Sequence, residues 1–187
     1  PGTARARLRP RGLLLEPLEE RSLLSASDVS VRFEFETLGG VVVSSLSVGQ
    51  DYILKGYVQD SRVTPAGVSH AYFDITYSAA ITVNGAISHG SDFNASITGD
   101  TGTPGLLNDI GGADTDATAP APPGASELLF SVPVHAASSG LATITAHLAD
   151  VMDPLLLFDS STAIPEEQVA FSVTNGTNYS LTTVDAP

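Results

Sequence analysis

The side chains that could do chemistry in this 187-residue chain are carboxylates, four histidines, some serines and five tyrosines; there is no Cys and no Trp. Calcium takes oxygen ligands from flexible, acidic, Gly-bearing loops. Asp109, Asp114 and Asp116, with Gly111 and Gly112 between them, are the candidate calcium ligands on that ground. The EF-hand spacing with its closing Glu is absent, and a solvated acidic loop is the plainer reading. Asp150, Asp153 and Asp159 form a second acidic cluster around Pro154.

His70, His89, His135 and His147 lack the spacing of zinc ligands. His70, His135 and His147 fall on outward strand positions, where an inert exposed imidazole is the expectation. No Gly-x-Ser-x-Gly elbow occurs. Ser69, His70 and Asp74 make a triad only on paper, because neighbouring strand residues point in different directions. A glycosidase needs two carboxylates held across a cleft, and nothing here pairs any two. Three Asn-x-Ser/Thr acceptor patterns occur, at Asn94, Asn175 and Asn178, and in a bacterial host they are chance matches. The expectation is therefore no enzyme. Tyr57 and Tyr72 are expected to face outward, where aromatic rings could stack on a sugar. The lack of Trp counts against that use.

What would position these groups is a set of short strands. In Ala71 to Tyr77, the residues Ala71, Phe73, Ile75 and Tyr77 alternate with Tyr72, Asp74 and Thr76. Period-two alternation marks a half-buried strand, and its apolar side needs a second layer to cover it. Val29, Val31, Phe33 and Phe35 alternate in the same way with Ser30, Arg32, Glu34 and Glu36. Tyr52 to Val58, Leu128 to Val134, Ala142 to Leu148, and Val169 to Val173 follow suit. Gly56 marks a bulge or a close approach, and Pro133 predicts an edge strand or a bulge. From Gly99 to Ser126 the pattern dissolves, and this stretch is read as a surface excursion anchored by Leu106 and Leu107. About nine or ten strands and no convincing helix after Ala26 predict an all-β fold, an antiparallel two-sheet sandwich or barrel.

A chain of this length builds a core without disulfides. Five of the eight basic residues precede Ser22; from Asp28 onward three basic residues stand against eighteen acidic ones. Such a surface repels phosphate backbones, which excludes nucleic acid as a partner of the main domain. No apolar run is long enough to span a bilayer. Residues 1–27 form a basic arm, with Arg at every second position from Arg5 to Arg11, and a leucine-rich segment in which Pro17 could start a short helix. A secretory signal would need a longer uninterrupted apolar run. Starting at Pro1, the chain is expected to be cut from a longer reading frame.

Leu15-Glu16-Pro17, Leu18-Glu19, Arg21 and Leu23-Leu24-Ser25 resemble the LEPR-XLL-type segment found near the start of large exported bacterial proteins. That likeness implies targeting or processing, and an exported, extracellular or cell-surface location. The stretch from Val29 to Val184 resembles a cohesin-type domain, within the wider group of carbohydrate-binding-like jelly rolls. Val48-Gly49-Gln50-Asp51-Tyr52, Gly67 to Tyr77, and Leu129 to Val134 with Gly140 and Thr143-Ile144-Thr145 carry the likeness. It implies one cohesin-like sandwich over 28–187, acting as a non-catalytic module that binds another protein, dockerin-like or otherwise, through a sheet face. Tyr57, Tyr72, Asp74 and Thr76 are the candidate contacts. The alternative is a carbohydrate-binding module whose partner is a polysaccharide.

Overall fold

The computed structural model describes residues 27–116, 125–174 and 180–184, the last group as backbone only. The basic arm, the LEPR-XLL-like segment and the short helix expected after Pro17 lie outside the described residues. Thirteen strands and one short 3-10 turn are found among those that are described. The excess over the expected nine or ten includes two longer strands, Ala95–Asp100 and Leu106–Ala113, where no alternation shows in the sequence.

The first sheet runs β12 (Val169–Val173), β1 (Val29–Thr37), β3 (Asp51–Asp60), β9 (Glu127–Ala136), β5 (Ile81–Val83), with β2 (Val42–Val43) beside β1 and β6 (Ser88–His89) beside β9. The second runs β13 (Ser180–Val184), β10 (Gly140–Leu148), β4 (Val68–Tyr77), β8 (Leu106–Ala113), β7 (Ala95–Asp100), with β11 (Leu155–Leu157) extending the β10 side of β4. All of these pairings are antiparallel except β1 with β12, which run in parallel. The described residues are thus the expected two-sheet sandwich, with one parallel edge.

The alternation read in the sequence is the cause of the layering. Phe33, Phe35, Leu54 and Val58 from the first sheet, and Phe73, Ile75, Ile110 and Ile144 from the second, are buried between the layers. Each such side chain contributes about 1.5–3 kcal/mol on leaving water. Gly56 shows why a strand interior can require glycine: a Cβ there would lie 2.3 Å from the Phe130 ring. The β3–β9 register also slips after Gly56, so both expectations for that position hold.

Two expectations need correction. The 99–126 stretch is not a surface excursion, because Leu106–Ala113 is β8, hydrogen-bonded between β4 and β7. Pro133 is not on an edge, because β9 lies between β3 and β5. It falls between the β5 pairing, which ends at Val134, and the β6 pairing at Ser131, where no ladder bond is asked of its missing N–H.

Candidate functional site

The outward side chains of β4 are the place to build from. Ala71, Phe73 and Ile75 fill the core, so Tyr72, Asp74 and Thr76 point to the opposite face. Thr76 is exposed and Asp74 half-buried. Thr76 Oγ1 donates to the Thr145 carbonyl at 3.3 Å, across to β10.

Opposite Asp74 the β4–β8 ladder breaks. Phe73 pairs with Ile110 and Ile75 with Leu107, so Asn108 and Asp109 together face one residue. Asp109 has φ 51°, a left-handed conformation that Asp tolerates better than most residues. This bulge re-aims its backbone and side chain, as bulges do. The Asp109 amide donates to Asp74 Oδ1 at 2.9 Å, and Asn108 Nδ2 donates to Asp109 Oδ2 at 2.6 Å. Asp150 joins from the turn after β10. The three carboxylates each bring an oxygen within 4.8 Å of the others. Asp109 Oδ1 is buried and has no hydrogen-bond partner. Burial raises the Asp109 carboxyl above its ordinary value, and the negative Asp74 and Asp150 raise it further.

The expected calcium trio is therefore regrouped. Asp109 meets Asp74 and Asp150, not Asp114 and Asp116. Asp114 lies five residues further along, about 16 Å at strand rise. It is buried, its amide donates to the Ser69 carbonyl, and its Oδ1 accepts from the Asp116 amide. The second expected cluster also divides, since Asp159 binds Arg62 while Asp150 joins Asp74. The signal that could have found the real group is the outward position of Asp74 on β4; its partners come from pairings made across long stretches of sequence.

The four candidate contacts do not share a face. Tyr72 does not face open solvent: it is 7% exposed, and its hydroxyl donates to the Ser96 carbonyl of β7 at 3.0 Å. Its neighbour on β8 is Gly111, where a Cβ would lie 1.8 Å from the Ala71 carbonyl oxygen. The 149–154 turn ties to the Tyr72 backbone at both ends, Tyr72 N to Pro154 O at 2.8 Å and Ala149 N to Tyr72 O at 3.1 Å. Tyr57 belongs to β3, on the other sheet. The Arg32 guanidinium sits 4.4 Å from the centre of its ring, which occupies the ring face a ligand would need. Burial, then the hydrogen bond and charge of Glu34, push its hydroxyl pKa up to about 12.

The serine triad does not assemble either. Ser69 Oγ meets His70 Nδ1 at 3.1 Å, but Asp74 is four residues beyond His70, about 13 Å along the strand. His89 bonds the Thr98 carbonyl, His135 bonds Asp51, and His147 bonds Glu166 at 2.8 Å, so each imidazole has its own partner. A crevice of about 420 Å³ opens beside Tyr77, Ile81, Val83, Thr101 and Pro104, and no carboxylate or imidazole lines it.

No family model and no curated protein matches this chain in sequence. In structure it is similar to a non-cellulosomal cohesin from the hyperthermophilic archaeon Archaeoglobus fulgidus, at 12% identity and TM-score 0.50 over 78% of this chain and 87% of that one. It also aligns with the third ScaB cohesin of R. flavefaciens, solved in complex with a group 1 dockerin, at 11% identity and TM-score 0.48 over 87% of this chain and 97% of that one. A third alignment is with the third ScaC cohesin of Acetivibrio cellulolyticus, at 13% identity and TM-score 0.46 over 77% of this chain and 94% of that one. At such identities the likeness to the archaeal protein is one of fold, and on that footing the two-sheet sandwich described above is a cohesin-like jelly roll.

Proposed function

We propose that this chain is a non-catalytic interaction module of an exported, multidomain bacterial protein, and that it binds another protein through the outer face of the β10–β4–β8–β7 sheet. One observation carries the reading: on that face Asp74 and Thr76 stand beside exposed Thr145 on a broad sheet surface. The cohesin-like fold supports the same role by analogy. A dockerin-like domain or another surface protein is the partner class. Asp74 and Thr76 remain the contacts of choice, while Tyr72 and Tyr57 leave the set for the reasons given above. Export is supported by the LEPR-XLL-like segment and by the formal charge of −13.

The carbohydrate-binding alternative is not favoured. A sugar platform needs coplanar open aromatic faces, and the two tyrosines sit on different sheets, one under a guanidinium and one buried. The test is a binding screen of the whole chain against a panel of dockerins. A binder that is lost on Thr76→Arg but retained on Ala170→Arg, an exposed β12 position on the opposite face, supports the reading. Loss on Ala170→Arg with Thr76→Arg silent places the partner on the other sheet and overturns it.

A further inference from the structure

β5 ends the first sheet, and its ladder to β9 covers only three residue pairs. A side chain just past its end adds a second hold. Thr82 is exposed and stands opposite His135 of β9, and His135 stands opposite Asp51 of β3. Asn84 lies two residues beyond Thr82 and shares its face. Its Nδ2 reaches over β9 and donates to Asp51 Oδ1 at 2.9 Å, the same oxygen that His135 Nδ1 meets at 2.7 Å. The Asn84 carboxamide thus ties the end of β5 to β3 across the strand between them.

The next residue is Gly85, and the fold holds glycine there. A Cβ at that position would lie 2.6 Å from Pro133 Cγ, in a ring that is closed onto its own backbone and cannot swing away. Glycine also leaves its nitrogen unhindered and its backbone free to turn. No backbone carbonyl among the described residues accepts from the Gly85 N–H. Asn84 is exposed, so water reaches its carboxamide. An open N–H, no side chain on the attacking residue and access to water are what ring closure onto an Asn side chain requires.

We propose that Asn84-Gly85 is a self-modification site that turns the tie between β5 and β3 into a repulsion. The Gly85 N–H gives its proton to solvent base, and the nitrogen attacks Asn84 Cγ. A C–N bond forms, the bond from Cγ to Nδ2 breaks, and Nδ2 leaves as ammonia with a proton taken from water. Water then adds to one carbonyl of the cyclic imide and breaks one of its C–N bonds, which leaves an aspartyl or isoaspartyl residue. One water enters and one ammonia departs, with nothing oxidised or reduced. The product has a carboxylate where a donor stood. Asp51 then faces a like charge, which disfavours the ionised pair, and β5 keeps only its short ladder.

The site is tested by holding the folded 187-residue chain in mildly alkaline buffer beside the free peptide acetyl-Thr-Val-Asn-Gly-Ala-Ile-amide. Chymotrypsin then releases residues 78–93, in which Asn84 is the only Asn or Gln, and mass spectrometry follows the change from carboxamide to carboxyl. The folded chain is expected to convert at no less than one tenth of the peptide's rate, with an isoaspartyl product that an isoaspartyl methyltransferase labels. Asn84→Gln, which would have to close a larger ring, should not convert over the same period. Conversion at less than one tenth of the peptide's rate shows that the fold shields the step and overturns the assignment. Asn84→Asp installs the aspartyl product directly. It should lower the melting midpoint by about 2 °C and move the backbone amide resonances of Asp51, Thr82 and His135. The lowering should shrink in about 0.5 M NaCl, as screening weakens the repulsion. An Asn84→Asp chain that melts with the parent and leaves those resonances in place shows that the tie holds nothing, and overturns the proposal as well.

Discussion

The outer faces of the two sheets carry the same kinds of residue and end in different states. On the first, Glu34 and Glu36 are only 6% and 7% exposed, yet Arg32 and Lys55 meet them within the sheet, and Arg32 also covers Tyr57. On the second, Asp74 and Asp109 are half-buried, Asp150 is exposed, and the group has no basic side chain from the described residues. A face whose charges are internally matched has little left to offer a partner. A face whose charges are unmatched is improved by a complementary one, which gives specificity and salt-sensitive association.

The contrast can be broken most forcefully at Asp60, where the first sheet meets the loop that Arg62 closes. Asp60 accepts from Arg62 and from the amides of Ala66 and Gly67. Asp60→Ala leaves those donors and the guanidinium short of a partner, and should cost about 3 kcal/mol in urea unfolding. Arg32→Met comes next. It strands Glu34 and uncovers Tyr57, and should cost about 2 kcal/mol, less than a fully buried pair because the Arg32 side chain is partly exposed.

The pH dependence sharpens the same contrast, with opposite signs for the two regions. Burial tends to raise the Asp60 carboxyl, but the hydrogen bonds from Arg62 and from the Ala66, Arg62 and Gly67 amides outweigh it and lower the pKa. Its contribution is present above the unfolded value and is lost as pH falls through the lowered one. Asp109 is raised by burial and by Asp74 and Asp150. Its folded form favours the proton, so its penalty is present at neutral pH and is relieved as pH falls through the raised value. The stability gap between Asp60→Ala and the parent should therefore narrow in acid. Any advantage of Asp109→Asn over the parent should shrink towards zero once pH is below the ordinary aspartate value of 3.8.

What the sequence disclosed, and what it hid, follows from the same physics. β1, β4 and β10 were legible because their polar residues alternate strictly with core residues. β8 was not. Its bulge at Asn108–Asp109 breaks the period, Gly111 lies where the Ala71 carbonyl leaves no room for a Cβ, and Gly112 is tightly packed against Phe93, so a buried strand resembles a loop. Alternation gave the direction of Tyr72 correctly but not its burial; its hydroxyl bonds the Ser96 carbonyl and its backbone bonds the 149–154 turn, both remote in sequence. Tyr57 reads as outward from its own strand, and only the pairing of β3 with β1 and β9 puts it on the opposite side of the molecule from Asp74. Asp109 was singled out as an acidic ligand, but its companions depend on a contact between residues 35 apart and on a turn beyond β10.

The most direct test removes one carboxylate charge from each face and compares the signs. Glu34→Gln and Asp109→Asn are nearly isosteric, and Asn tolerates the left-handed backbone at position 109. In urea unfolding at neutral pH, Glu34→Gln should lose about 1–2 kcal/mol, because a part-buried pair loses its charged acceptor while Arg32 stays partly exposed to solvent. Asp109→Asn should gain about 0.5 kcal/mol, a small figure because solvent screens the exposed Asp150. Opposite signs are the predicted result. A loss of stability in Asp109→Asn comparable to that in Glu34→Gln would show that the second face is as fully matched within the chain as the first, and would contradict the account.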